Sequence, residues 1–373
     1  MKIVITGGYG NYNLGDDAQL FNNVRLLKEA GHSDITILSK YDYIEKLCNC
    51  KIEKDFNRIY TKSDNDYLKN REHDILSVCL NYNHIQHHLT QIEKNIIETI
   101  KNSDILFISG SGTINTRHLF GLYRALTPIK IAKIFNKKVI LSGQGVLPMN
   151  NDTWEKYISN VLNKADAIYT RDFELGKKEL DRIGVKSKVI LGVDDAFTLP
   201  NNNNNSSYAL DNAIGINISS FITPDLYDIF YTLANRLKNL GYCPIFNYFS
   251  MPDAEHAEKC SKKEFSVLGF SNPEEAINFY SQLKASIGMR YHSAIFSLGQ
   301  KIPHVNIYSN EYQRLKIKAI EGETNIQCFG LDKKNIDKAE EYVLNAIKYQ
   351  KSQIESFHSN WTEKANLAIK EIE

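Results

Sequence analysis

Short apolar runs alternate with helix-length amphipathic stretches from the start of the chain. Ile3-Val4-Ile5 reads as a strand, and Asp16 to Ala30 repeats apolar residues at Ala18, Leu20, Phe21, Val24 and Leu27, the spacing of one helix face. Further strand-like runs are Ile35 to Leu38, Ile75 to Leu80, Ile105 to Ile108, Val139 to Leu141 and Ala167 to Tyr169. They are apolar throughout rather than alternating, which suits a parallel sheet covered by helices on both faces. Between Pro200 and Ser207 the pattern stops at a run of asparagines that cannot bury a core. It restarts with Ala213 to Ile218, a helix from Pro224 to Leu240, and strands at Cys243 to Tyr248, Ala285 to Ile287 and His304 to Ile307. The pattern predicts two doubly wound, Rossmann-like α/β domains at 1–200 and 208–332, joined by a linker at 201–207. A helical segment at 333–373 is expected to pack back on the first domain.

Composition narrows the function. A chain of 373 residues exceeds one ordinary core, and 42% hydrophobic with 24% charged residues is a globular balance. Lys plus Arg (45) nearly cancels Asp plus Glu (44), so no global field draws the chain to nucleic acid or an anionic membrane. An anionic ligand must then be held by a local cluster. No apolar run approaches the ~18 residues of a membrane span, and the N-terminus does not resemble a signal peptide. Six cysteines lack metal or redox spacing, which points to reduced thiols in the cytoplasm. His84 and His88 are one helical turn apart, but with neither a carboxylate nor a cysteine nearby no metal is expected.

Five segments at strand ends carry candidate chemistry. Gly7 to Asp17 joins the first strand to the first helix, where glycines and a helix N-terminus admit a ligand. Asp16 and Asp17 are acceptor-binding carboxylates in one reading and helix caps in the other. Ile108 to Thr113 and Ser142 to Pro148 are either the open floor of a crevice or tight turns, with Gln144 the one obvious hydrogen-bonding side chain of the latter. In Tyr169-Thr170-Arg171-Asp172 the arginine meets either an anionic ligand or a local carboxylate. In Gly288-Met289-Arg290-Tyr291-His292, Arg290 and His292 stand where a strand turns into a helix, suited to an anion and a proton transfer.

In this order the five segments resemble the polysaccharide pyruvyl transferase family over roughly residues 1–330. Gly10, Asn11, Gly15, Asp16 and Asp17 resemble its G-x-x-G-N-x-G-D-E/D loop, and Ile108 to Thr113 its glycine strand end. Gln144-Gly145 resembles its Q-G turn, Thr170-Arg171-Asp172 its T-x-R-D, and Gly288 to His292 its G-M-R-L-H. The resemblance implies a GT-B-like arrangement of the two domains and transfer of pyruvate from phosphoenolpyruvate to a sugar of a surface glycan or its lipid-linked precursor, forming a ketal. Phosphoenolpyruvate is then a co-substrate, no resident cofactor is needed, and any membrane contact is transient, at the inner face. It implies His292 as general acid, with Arg290 and Asp16 in the catalytic set. Arg171, Arg290, Arg314, Lys316 and Gly288 would bind the donor. Gly10, Asn11, Asp16, Asp17, Gln144 and Arg117 would bind the acceptor. The sequence departs from the family in three places. Thr113 to Arg117 lacks the usual Asp, Tyr312 stands where many members have Lys, and Ile218-Ser219-Ser220-Phe221 lacks an Arg. The alternatives are a nucleotide-sugar glycosyltransferase on the same scaffold and a non-catalytic glycan binder.

Overall fold

A computed structural model describes residues 1–372 except 57–63, 82–88, 117–118, 202–209, 211, 325, 327 and 331–334. The chain forms two compact units. The first comprises Met1–Asn11, Gln19–Asp195 and Lys364–Glu373, the second Tyr12–Ala18 and Ala196–Glu363.

The first unit is built on a parallel sheet of β1 (Lys2–Thr6), β2 (Asp34–Ser39), β3 (Lys51–Lys54), β4 (Ile105–Ile108), β5 (Ser111–Ile114), β6 (Lys138–Val146), β7 (Ala167–Thr170) and β8 (Val189–Leu191). The strands run in the order β3-β2-β1-β4-β6-β7-β8, with β5 beside β6. Alternate side chains of each strand feed cores on opposite faces. Val4, Leu106 and Leu141 face one with Ile96 and Leu126, while Ile3, Ile5 and Phe107 face the other with Leu20 and Ile369. Helices start on local caps, as where Thr90 and Glu93 close a capping box on Gln91–Lys101.

The second unit carries β9 (Ala213–Asn217), β10 (Cys243–Tyr248), β11 (Val267–Gly269), β12 (Ala285–Gly288), β13 (His304–Tyr308) and β14 (Cys328–Gly330), in the order β11-β10-β9-β12-β13-β14. All pairings are parallel in both sheets. The order reverses between β1 and β4 in one sheet and between β9 and β12 in the other. Strand connections diverge at such switch points and leave a crevice at the carboxyl ends.

The expected α/β architecture is present, with differences of physical origin. Ile75 to Leu80 is the end of a helix, Asn65–Leu80, and not a strand. Its buried residues Leu68, Glu72, Ile75, Val78 and Cys79 fall at three- and four-residue spacing, so the run of apolar residues is one helix face read in isolation. The units divide after Asp195, and the expected linker at 201–207 lies largely outside the described residues. The terminal helix Ile336–Ala365 supplies Ala339, Val343 and Ala346 to the core of the second unit. Only residues 364–373 belong to the first, where Ala368, Ile369 and Ile372 are buried. Among the described residues no helix is long and apolar enough to cross a membrane. Because Ile369 is only 5% exposed, Ile369→Ala should destabilise the protein by about 2–4 kcal/mol in urea unfolding monitored by circular dichroism.

Candidate active site

In the second unit the switch point between β9 and β12 gathers the first group of polar residues. Asn217, the last residue of β9, accepts a hydrogen bond from the Arg290 backbone N–H at 3.1 Å and so fixes the turn out of β12. The side chain of Arg290 leans on Asp253, whose carboxylate receives Nε at 3.0 Å and also Nη2, while Ser250 Oγ accepts from Nη2 at 3.2 Å. Asp253 is wholly buried and accepts the Ser220 N–H at 2.7 Å as well. Two sides of the guanidinium fork are thereby oriented, and the Arg290 side chain keeps 22% exposure. Gly288 makes the turn possible, because a β-carbon there would lie 2.1 Å from Ser293 Oγ, which bonds back to the Arg290 carbonyl at 2.6 Å.

His292, 7% exposed, sits in the first turn of helix Tyr291–Gly299. Its ring fills the space that a side chain at residue 15 would need, since a β-carbon on Gly15 would fall 1.9 Å from His292 Nδ1. The first turn of helix Leu14–Glu29 therefore lies against the imidazole, anchored by the Leu14 N–H donating to the Phe249 carbonyl at 3.0 Å. Asp16 in that turn accepts from Asn13 Nδ2 at 2.6 Å, and Asp17 is buried. Beside Arg290 an aromatic pair extends outward. The Arg290 guanidinium lies 5.7 Å from the ring centre of Phe221, Phe221 meets Tyr312 edge-on at 6.0 Å, and Lys316 Nζ lies 4.4 Å above Tyr312. Phe221 is 45% exposed.

In the first unit the strand ends are filled by the protein itself. A β-carbon at Gly110 would lie 2.3 Å from Gln19 Nε2, one at Gly143 (φ +54°) 2.6 Å from the Asp195 carboxyl, and one at Gly145 2.8 Å from Arg171 Nε. Asp195 is buried and accepts from Ser142 Oγ (2.6 Å), Asn23 Nδ2 (2.7 Å) and the Gly110 N–H (3.0 Å). Burial pushes its carboxyl up to about 7, and the neighbouring charge of Asp194 acts the same way against the three donors. Arg171, 3% exposed, donates to Asp194 at 3.0 Å and to Gln19 Oε1 at 3.2 Å.

The family model for polysaccharide pyruvyl transferase matches residues 13–311. The chain belongs to the polysaccharide pyruvyl transferase family. Its fold is that of GT-B proteins. The structure of UDP-GlcNAc 2-epimerase from Neisseria meningitidis bound to UDP-GlcNAc superposes with a TM-score of 0.61 at 13% identity, covering 100% of this chain and 98% of that one. A glycosyltransferase from Rickettsia africae gives 0.58 at 12%, covering 99% and 96%, and the glycotransferase of kitacinnamycin 0.63 at 9%, covering 99% and 97%. Nothing matches among curated proteins.

Against the family's motifs, the structure brings Gly288, Arg290, His292, Asp16 and Asp17 into one unit. Arg314 and Lys316 lie on helix Glu311–Thr324 of that unit, Arg314 paired with its own neighbour Glu311 at 2.6 Å. Gly10, Asn11, Gln144 and Arg171 belong to the other. Gly10 adopts φ +77°, and the Asn11 amide donates to the carbonyls of Gly8 and Tyr9, closing its own loop. The Gln144 amide donates to the carbonyls of Ile108, Ser109 and Ser142, stitching strand ends together, and Arg171 takes the local carboxylate partner of its two readings. Arg117, His84 and His88 lie outside the described residues.

Sequence reasoning missed Asp253, Asp194, Asp195 and Gln19. Ser250-Met-Pro-Asp253 has the form of a helix capping box, yet its Ser side chain makes no cap bond and its Asp points to Arg290. For Asp195 the signal available was the pair of acids that follows β8 after Gly192-Val193 and precedes apolar Ala196-Phe197.

The pH dependence of Asp195 has a definite sign. With a folded value near 7 and an unfolded value near the ordinary ~3.9, the folded state binds more protons between those limits, so stability falls as pH rises through that window and levels off above it. Asp195→Asn should flatten this slope. Melting temperatures measured from pH 4.5 to 8.5 should fall with pH in the parent, by an amount reflecting about 1.4 kcal/mol per unit of displacement, and stay level in the variant.

Proposed function

We propose that this protein transfers the pyruvyl group of phosphoenolpyruvate to two hydroxyls of a sugar in a surface polysaccharide or its lipid-linked precursor, closing a ketal. It would do so in the cytoplasm, touching the membrane only through a lipid-linked acceptor. The observation that carries this reading is the pairing, in the second unit of a pyruvyl transferase family member, of an oriented Arg290 with His292 seated on Gly15.

Addition across the enol double bond needs a proton at C3 and an oxygen nucleophile at C2. His292 supplies the proton, the first sugar hydroxyl bonds to C2, and its proton passes to Asp16. The second hydroxyl then forms its bond to C2 as the C2–O–phosphate bond breaks, and phosphate leaves with that hydroxyl's proton. Arg290 offers the unbound side of its fork to the carboxylate or phosphate, and Lys316 adds positive charge from the next helix. Charge already in place costs no reorganisation when the phosphate departs. Arg171 has no role in this scheme, since Asp194 already balances it.

His292→Ala should lower kcat by about 10²–10⁴ with the fold intact, read as phosphate release together with a pyruvate-sized mass gain on an oligosaccharide acceptor. Asp253→Asn should chiefly raise KM for phosphoenolpyruvate, because Arg290 loses its orientation. Undiminished turnover in the histidine variant would remove His292 from the mechanism.

One observation favours a second reading. The exposed ring of Phe221 beside Arg290 offers a flat face next to a cation, which fits a nucleobase attached to a diphosphate and hence a nucleotide-sugar donor. A thermal-shift comparison separates the two. Phosphoenolpyruvate should stabilise the protein and UDP-sugars should not; stabilisation by a UDP-sugar that Phe221→Ala abolishes would reverse the assignment.

A further inference from the structure

A cavity of about 350 Å³ lies in the outer helical layer of the first unit, among helices Asn65–Leu80, Leu119–Ile134 and Asp152–Leu162. None of its lining residues belongs to the strand-end segments described above. Three aromatic rings form one wall. Tyr123 and Trp154 are 5.8 Å apart at 82°, Trp154 and Tyr157 are 5.7 Å apart at 81°, and Tyr123 and Tyr157 are 5.4 Å apart. Glu72, 6% exposed, stands against them and accepts from Tyr157 Oη at 2.6 Å, Thr127 Oγ1 at 3.0 Å and Lys130 Nζ at 2.8 Å. Lys130 also lies 4.3 Å above the Tyr157 ring. Lys69 and His73 complete the rim.

We infer that this cavity is a glycan subsite that takes one or two hexopyranose units of the acceptor, away from the transfer chemistry. Its volume is at the low end of small-molecule sites, where a pyranose or disaccharide fits and a long lipid does not. Tyr157 is the accessible ring of the three, Tyr123 being 1% and Trp154 8% exposed, and an aromatic ring offers an apolar face to the C–H side of a pyranose. The hydroxyls on the ring edge need donors and acceptors side by side, and the Glu72–Lys130 pair supplies both. The Lys130 ammonium is already matched by that carboxylate, so the polar edge of the cavity beside the rings is an ion pair and not an isolated cation. The wall is cross-linked before any ligand arrives, so little ordering accompanies binding.

The identity of the sugar as acceptor rests on the pyruvyl-transfer reading; the binding itself does not. The chain has two tryptophans, Trp154 and Trp361, so in a Trp361→Phe protein the emission reports on the cavity alone. Titration with lactose, chitobiose and maltose should change that emission saturably for at least one of them, with Kd on the order of 1 mM. Tyr157→Ala should weaken the response at least tenfold while leaving the unfolding midpoint cooperative. Saturation-transfer NMR on the unaltered protein reads the same binding should Trp361→Phe fold poorly. No saturable response to any of the three, or an unchanged Kd in Tyr157→Ala, overturns the subsite. Saccharide binding without phosphoenolpyruvate-dependent mass gain would leave the subsite and remove the transfer reading; mass gain without saccharide binding would do the opposite.

Discussion

At Gly15, Gly110, Gly143 and Gly145 a β-carbon would land 1.9 to 2.8 Å from another side chain, namely His292, Gln19, Asp195 and Arg171 in turn. Much else in the molecule follows from that lack of room. Parallel strands that end side by side bring their following turns together, and only residues without side chains leave space for polar groups to enter from elsewhere. In the first unit the entrants are Asp195, Gln19 and Arg171, which tie helix Leu14–Glu29 from Gln19 onward to the ends of β4, β6 and β7. In the second unit the entrant is His292, which holds the first turn of the same helix. The helix Leu14–Glu29 thus gives its first turn to one unit and its residues from Gln19 onward to the other.

The two arginines from the recognised motifs show how one side-chain type divides between tasks. Both are gripped by a wholly buried aspartate, Arg171 by Asp194 and Arg290 by Asp253. The Arg171 side chain is 4% exposed, and removing Asp194 would take away its nearer carboxylate and leave Asp172 at 3.9 Å, at a cost of up to about 3–5 kcal/mol. Arg290 keeps an edge toward solvent, so Asp253 aims the fork and leaves part of it available. The same ion pair therefore works as a fastener in one unit and as a mount in the other.

The sequence was informative wherever the physics was local. Apolar runs bounded by turn residues located the long central strands, and the spacing in Asp16 to Ala30 located the first helix. Short edge strands such as β3, β8, β11 and β14 escaped because three or four residues carry no period. Ile75 to Leu80 misled because a run of six residues does not separate a strand from one face of a helix. The candidate site was legible as far as Gly288, Arg290 and His292, which lie together on one turn. Its supporting residues were not, since Asp253 is 37 positions from Arg290 and Asp195 is 53 from Ser142. The glycine turns of the first unit looked like a ligand's cradle, but the space they open is taken by side chains from distant parts of the same chain.

The chain passes from one unit to the other after residues 11, 18, 195 and 363, so neither unit is a continuous stretch. During synthesis this sets an order of events. The apolar face made by Ile3, Ile5, Phe107 and Leu20 exists once the first two hundred residues have emerged, yet Ile369 and Ile372, which join it, are made only after the strands of the second sheet. Until then that core, already covered in part by Leu20, Val24 and Leu27, lacks the side chains of residues 368–372, and apolar surface left open in this way is prone to wrong partners. A chain that stops near residue 350 therefore contains every strand given above for both sheets and still lacks the residues that finish one core of the first unit.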